Sequence, residues 1–226
     1  MVIRTTGMLS SIAWGEKPNS LDRAVIDMSI PGQTNERELQ ALEALAARVP
    51  THGTVVEIGS LFGRSSFALA TSVDPSATVY CIDPWVRERW VVDLVETRIP
   101  DCPVFSFDAF RQYTAGCPNI VPIRGYSPQD IRSWRKPVDI FFDDSLHHNP
   151  HFRRNLRFWF RHMKPGGIMS GHDYGSDWPD VKREVDILSG RLGVPVQVTD
   201  AIWWFEVPSR PRRIRRFLDI VWGARA

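Results

Sequence analysis

The sequence predicts an α/β fold: a mostly parallel sheet with helices on both faces, finished by an antiparallel strand. Three observations predict it. A β-branched apolar run, Thr54-Val55-Val56-Glu57-Ile58, meets a glycine turn over Gly59–Gly63 and then a helical stretch beginning near Gly63. Short apolar runs then alternate with helix-period segments through Leu192. Finally, two strand-like runs over 194–199 and 202–207 are separated only by Asp200-Ala201, a connection short enough to force an antiparallel pair.

The glycine turn is the organising stretch. It reads Glu-x-Gly-x-x-x-Gly-x-Ser, with Leu61 where the dinucleotide fingerprint needs its second glycine. Strand, glycine turn and helix open a nucleotide-binding α/β unit, and Gly59 and Gly63 would let a ligand approach the backbone. A tight βα turn of any α/β protein would look the same.

Length and composition set bounds. A chain of 226 residues is expected to form one domain with extensions. Its 43% hydrophobic and 24% charged content is that of a soluble globular protein. No apolar run approaches the roughly 18 residues of a membrane span, so no stable insertion is expected. Arg4 is followed by no apolar signal-peptide core. Cys81, Cys102 and Cys117 lack C-x-x-C spacing and read as reduced thiols, which points to the cytoplasm. The net charge of +2 hides a tail, residues 210–226, that carries six Arg and one Asp. The body is therefore slightly acidic, and no nucleic-acid partner is expected.

In chain order, residues 1–33 read as an irregular extension or a lid. A helix follows, opened by Asn35 with Glu38 as a capping box, striped with Leu39, Leu42, Leu45, Ala46 and Val49, and stopped by Pro50. The second strand, 78–82, ends at Asp83-Pro84-Trp85. Asp83 at a strand tip could accept from two ribose hydroxyls, or cap a turn. Trp85 could stack on an adenine or pack in the core. Residues 86–116 read as helical stretches broken near Pro100 and Pro103, with a stripe of Trp90, Leu94 and Val95. The third strand, 119–123, carries Pro122 and is expected at an edge. Ser127 then either contacts the adenine or caps a helix before Ile131 and Trp134.

The fourth strand, 138–142, runs into Asp143-Asp144-Ser145-Leu146-His147-His148. Two carboxylates and two imidazoles at a strand tip point to chemistry. A helix from about Pro150 follows, with Arg153, Arg154, Arg157 and Arg161 as a solvated face, ended by Lys164-Pro165-Gly166-Gly167. The fifth strand, 168–170, delivers Gly171-His172-Asp173-Tyr174 beside the fourth-strand tip. The tail places Ile214, Phe217, Leu218, Val221 and Trp222 at helical spacing, as an amphipathic helix. The nine Trp and this tail point to a homo-oligomer.

These motifs, with Ile202-Trp203-Trp204, resemble the class I S-adenosylmethionine (SAM) O-methyltransferases. More narrowly, they resemble the bacterial family that includes the macrolide-sugar and rhamnosyl O-methyltransferases. The resemblance covers roughly residues 34–207, leaving 1–33 and the basic helix 208–226 outside. It implies a Rossmann-like, seven-stranded methyltransferase sheet whose last strand is antiparallel. It implies SAM bound by Glu57, Gly59, Ser60, Gly63, Ser65 and Asp83, with Trp85 and Ser127 near the adenine. It implies a divalent cation, magnesium or manganese, on Asp144, His172 and Asp173, and His147 as general base acting with Asp144. The acceptor would be a small hydroxylated molecule, a sugar or glycosylated natural product. A metal-independent methyltransferase, a non-catalytic SAM-binding module and a nicotinamide oxidoreductase are the competing readings. Two departures stand out. The strand tip is Asp-Asp-Ser-Leu-His where the family often has Asp-Gly-Asp-His, and His172 stands where some relatives carry a carboxylate.

Overall fold

The computed structural model describes residues 26–99 and 101–209. Residues 1–25 of the expected extension, and all but two residues of the expected tail helix, lie outside them.

The elements are α1 (Glu36–Ala46), β1 (Thr54–Ile58), α2 (Arg64–Ser72), β2 (Thr78–Asp83), α3 (Arg89–Arg98), α4 (Phe107–Tyr113), β3 (Ile120–Arg124), β4 (Val138–Asp143), α5 (His151–Phe160), β5 (Met163–Gly171), α6 (Pro179–Leu192), β6 (Gln197–Thr199) and β7 (Ile202–Glu206). The seven strands form one sheet in the order β3-β2-β1-β4-β5-β7-β6. The first five pair in parallel, and β7 runs antiparallel to both β5 and β6. This is the class I methyltransferase sheet. Pro122 sits on the edge strand β3, where its missing N–H costs no ladder bond. No helix among the described residues is long and apolar enough to cross a membrane.

Alternation along each strand divides the core in two. Val55, Val79, Ile140, Phe142 and Ile202 point to the face covered by α1 and α2. Val56, Ile82, Phe141, Met169 and Trp203 point to the face covered by α5 and α6. All six residues of β4 are buried, as a central parallel strand requires. Strand order reverses between β1 and β4, so their carboxyl ends open onto the crevice where α/β sheets bind ligands. The register brings Ile58, Asp143 and Gly171 level across three neighbouring strands.

The described end of the N-terminal extension, residues 26–33, packs on the body: Ile30 is buried, and the Arg64 guanidinium donates to the carbonyls of Ile30 at 2.6 Å and Thr34 at 2.8 Å. Several expectations are corrected here. Lys164–Gly167 lie within β5 as an irregularity in its pairing with β4, rather than forming a separate turn. Residues 127–133 form successive turns and no helix. Leu94 of the expected α3 stripe is exposed, while Val95 is buried. Arg153 is not simply solvated: it clamps α5 to α6 through both oxygens of the buried Glu184, at 2.9 and 2.8 Å.

Candidate active site

The loop after β1 is fixed from beneath. Glu57 is fully buried; its carboxylate accepts from the Ser65 hydroxyl at 2.5 Å and from the Ser66 hydroxyl. Glu57 and Ser65 thus tie the strand to the first turn of α2. The chain itself also requires the two glycines. Gly59 has φ +85°, and a Cβ on it would come within 2.1 Å of the Asp144 carbonyl oxygen. Gly63 has φ +96°, and a Cβ there would meet Thr114 at 2.6 Å. Both positions need glycine because the chain itself closes around them. Ser60 differs from its neighbours: its hydroxyl is buried beside the Cys81 thiol and has no nitrogen or oxygen hydrogen-bond partner among the described residues.

At the tip of β2, Asp83 accepts the Leu61 N–H at 3.1 Å on one oxygen and the Trp85 N–H at 2.7 Å on the other. Each oxygen keeps a lone pair for a further donor. Burial pushes Asp83 up to about 6, against the pull of those two amides. Trp85 takes the core-packing alternative. It is 4% exposed, its ring lies on Phe107 and Phe110, and its indole N–H donates to the Leu61 carbonyl at 2.8 Å. Ser127 caps no helix; its hydroxyl accepts from the Trp159 indole at 2.9 Å.

The tips of β4 and β5 converge as expected. Asp143 and Asp144 divide into an interior and a site-facing residue. Asp143 is fully buried and accepts from the Ser145 N–H and hydroxyl, and burial pushes it up to about 7. Asp144 is the one that meets other functional groups. Among the described residues, Asp144, His147 and Asp173 bring one potential ligand atom each within 4.8 Å of one another. His147 Nδ1 lies 3.2 Å from Asp173 Oδ2, and His147 Nε2 lies 3.8 Å from Asp144 Oδ1. That Nε2 is buried and has no hydrogen-bond partner.

His172, expected beside Asp144 and Asp173, lies next to both. Both of its ring nitrogens face carboxylates: Nε2 lies 3.2 Å from Glu38 Oε1, and Nδ1 lies 3.2 Å from Asp173 Oδ1 and 3.7 Å from Asp144 Oδ1. Burial opposes its charge, but Asp144, Asp173 and Glu38 more than offset this and push His172 up to about 11. His147 goes the other way. Burial, with His172 and His148 adding like charge, holds it down to about 4 against the attraction of Asp173. Burial, with like charge from Asp173, Glu57 and Asp143, pushes Asp144 up to about 7 against the pull of His172. Burial opposes the ionisation of Asp173, yet both histidines keep it below the usual carboxylate range.

Two residues at the site were not singled out from the sequence. Trp178, ahead of α6, sets its ring against His147 and His148 at 5.0 and 5.1 Å and walls that side of the two imidazoles. Glu38 carries a visible signal, the capping box, but nothing local shows that it also reaches His172.

A family model described as a methyltransferase domain matches residues 56–174. Mycinamicin VI 2''-O-methyltransferase of Micromonospora griseorubida is 36% identical over 87 residues, which is 37% of this chain and 22% of that protein. The match thus spans about a fifth of the curated relative's length. The solved structure of the O-methyltransferase TomG from Streptomyces achromogenes, involved in tomaymycin synthesis and bound to SAM, is similar with TM-score 0.55 at 17% identity. The alignment covers 77% of this chain and 81% of that one. CalS11, a TDP-rhamnose 3'-O-methyltransferase of calicheamicin biosynthesis, is similar with TM-score 0.53 at 14% identity, over 74% of this chain and 76% of that one. At such identities the structural likeness is one of fold. The family match is broader: it takes in more than half of the chain, from β1 through the glycine loop and Asp83 to Asp173, and by it the chain belongs to the methyltransferase domain family.

Proposed function

We propose that the protein is a SAM-dependent O-methyltransferase acting on a hydroxyl of a small acceptor, a sugar or glycosylated natural product, with a divalent cation assisting. The observation that carries this reading is His147. Its Nδ1 is taken by Asp173, and its Nε2 stands buried and unpartnered beside Asp144, at the crevice next to the glycine loop.

The residues present fit both absent groups. For SAM, the orphaned Ser60 hydroxyl and the spare lone pairs of Asp83 are polar groups left unsatisfied by the chain, at the two strand tips where a nucleoside cofactor lies. For a hard cation, Asp144 and Asp173 offer carboxylate oxygens, the donors magnesium and manganese prefer. These two would hold it, leaving His147 as the base and His172 outside the ligand set. SAM, when bound, supplies a methyl group on a sulfonium, ready for in-line displacement. A divalent cation, when bound, lowers the acidity barrier of the acceptor hydroxyl. The chain's own work is alignment and proton removal. Glu57, Ser65 and Ser66 hold the loop, and Asp83 is read as the ribose acceptor. His147, neutral at physiological pH, would accept the acceptor hydroxyl's proton on Nε2. Asp173 then faces the imidazolium across 3.2 Å and stabilises it.

The names of the mycinamicin and rhamnose methyltransferases support the sugar acceptor. The unpaired cysteines support a reducing, cytoplasmic setting. A metal-independent reaction is a second reading, favoured by one observation: His172 already sets a positive charge against Asp144 and Asp173.

Calorimetric titration of metal-stripped protein tests the proposal, first with SAM and then with SAM, magnesium or manganese and a panel of hydroxylated sugars. SAM binding with metal-enhanced acceptor binding is expected. Acceptor binding and turnover indifferent to metal would favour the second reading, and no SAM binding by folded protein would sink both.

A further inference from the structure

We infer that Glu38 of α1 is a positioning residue for the base, acting through His172 and Asp173 on His147. The four side chains form one buried line. Glu38 Oε1 lies 3.2 Å from His172 Nε2, His172 Nδ1 lies 3.2 Å from Asp173 Oδ1, and Asp173 Oδ2 lies 3.2 Å from His147 Nδ1. His172 and Asp173, the two inner members, each turn one atom to the neighbour before and one to the neighbour after. Every ring and carboxylate plane between the ends is therefore set from two sides. The line finishes at His147 Nε2; among the described residues neither this atom nor His172 Nε2 makes a hydrogen bond, so the links are close charge contacts.

Capping alone does not explain Glu38. The capping box uses only Oε2, which accepts the Asn35 N–H at 2.8 Å, while Asn35 Oδ1 accepts the Glu38 N–H at 3.0 Å. A box of this kind works equally well at the surface. Yet Glu38 is 4% exposed, and burying a carboxylate is costly unless its charge is paired. Its second oxygen meets His172 and also accepts the Ala201 N–H at 3.3 Å, which ties the β6–β7 turn to the same group. Asp173 has φ +62°, a left-handed backbone that non-glycine residues seldom adopt. The line gives that conformation a purpose, since Asp173 must turn one oxygen to each histidine.

The inference rests on the reading of His147 as base, but the line can be tested without turnover. The probe is the full-length protein, free of metal and acceptor, with 15N-labelled histidine. Two-bond 1H–15N correlation spectra report the protonation of each ring nitrogen. Wild-type His147 should appear as the single neutral tautomer with the proton on Nδ1. Glu38→Gln keeps an oxygen for the Asn35 N–H but removes the charge facing His172. It should shift the His172 resonances and convert His147 to a mixture of tautomers. Asn35→Ala breaks the cap from the other side and should lower the melting temperature while leaving both rings at their wild-type signals. Unchanged ring signals in Glu38→Gln would reduce Glu38 to a helix cap, and equal shifts in Asn35→Ala would show general loosening; either overturns the inference. Should Glu38→Gln fail to fold, the wild-type spectrum decides, since a His147 protonated on Nε2 contradicts the line. The spectra need no SAM, so failure of SAM to bind would count against the proposed function alone.

Discussion

Asp173 Oδ2 faces His147 Nδ1 across 3.2 Å, and this pairing decides which imidazole nitrogen is left free. With the ring proton on Nδ1, the nitrogen that faces the carboxylate, Nε2 keeps its lone pair 3.8 Å from Asp144 Oδ1. Removing the imidazole should therefore spare cofactor binding and abolish the proton acceptor. His147→Ala is expected to bind SAM as the wild type does while turnover falls by about 10²–10⁴-fold. Calorimetry with SAM and a steady-state assay check the two halves; near-normal turnover removes His147 as base.

The alkaline stability of the metal-free protein should depend on His172. Its folded-state pKa is raised from 6.5 to about 11. The stabilisation is thus complete below about 6.5, where the unfolded chain is also protonated, and is lost as pH rises through about 11. The melting-temperature gap between wild type and His172→Gln should be widest near neutrality and below, and should close progressively toward pH 11. A gap that widens with pH would show that the wrong protonation state has been assigned.

Gly59→Ala should be destabilising by about 2 kcal/mol or more, because it combines a positive φ with a Cβ placed 2.1 Å from a carbonyl oxygen. Gly116→Ala is the control. A Cβ at Gly116 meets nothing within 4 Å, and the change should stay within about 0.5 kcal/mol. Denaturant unfolding of both variants gives the comparison.

Trp85 separates packing from cofactor contact. Trp85→Ala should cost about 3–5 kcal/mol, the range for an aromatic side chain lost from a core. Trp85→Phe keeps most of the ring packing and loses the bond to the Leu61 carbonyl; it should be milder and hold SAM affinity close to wild type. A Trp85→Phe variant that is fully stable yet binds SAM weakly would place the indole against the adenine after all.

Most of the sheet was legible because its signals are local. β-branched runs such as Thr54–Ile58 and Val138–Asp143 can bury both faces only in a central sheet, and the two-residue link at Asp200-Ala201 leaves one geometry. The start of β5 was hidden because Pro165, Gly166 and Gly167 carry turn chemistry, and only the partner strand shows that they continue the pairing. The site was legible as a list of residues and less so as roles. Parallel order brings Asp144, His147 and Asp173 together, but which histidine loses its proton depends on what each ring faces. For His172 that is Glu38, distant in sequence, whose capping motif already accounts for it locally. Trp85 shows the same limit: an aromatic residue at a strand tip reads alike whether its partner is a nucleobase or Phe107 and Phe110.

The main chain of Asp144 fills the space that any side chain at Gly59 would need. The cradle read as holding the methyl donor and the segment bearing the base are thus abutting backbones, with no adjustable side chain between them. Spacing between the glycine loop and the start of the Asp144–His147 segment is then set by main-chain contact. Loops around the crevice are then free to diverge toward new acceptors without retuning that spacing, and a change at this one seam would disturb cofactor and base together.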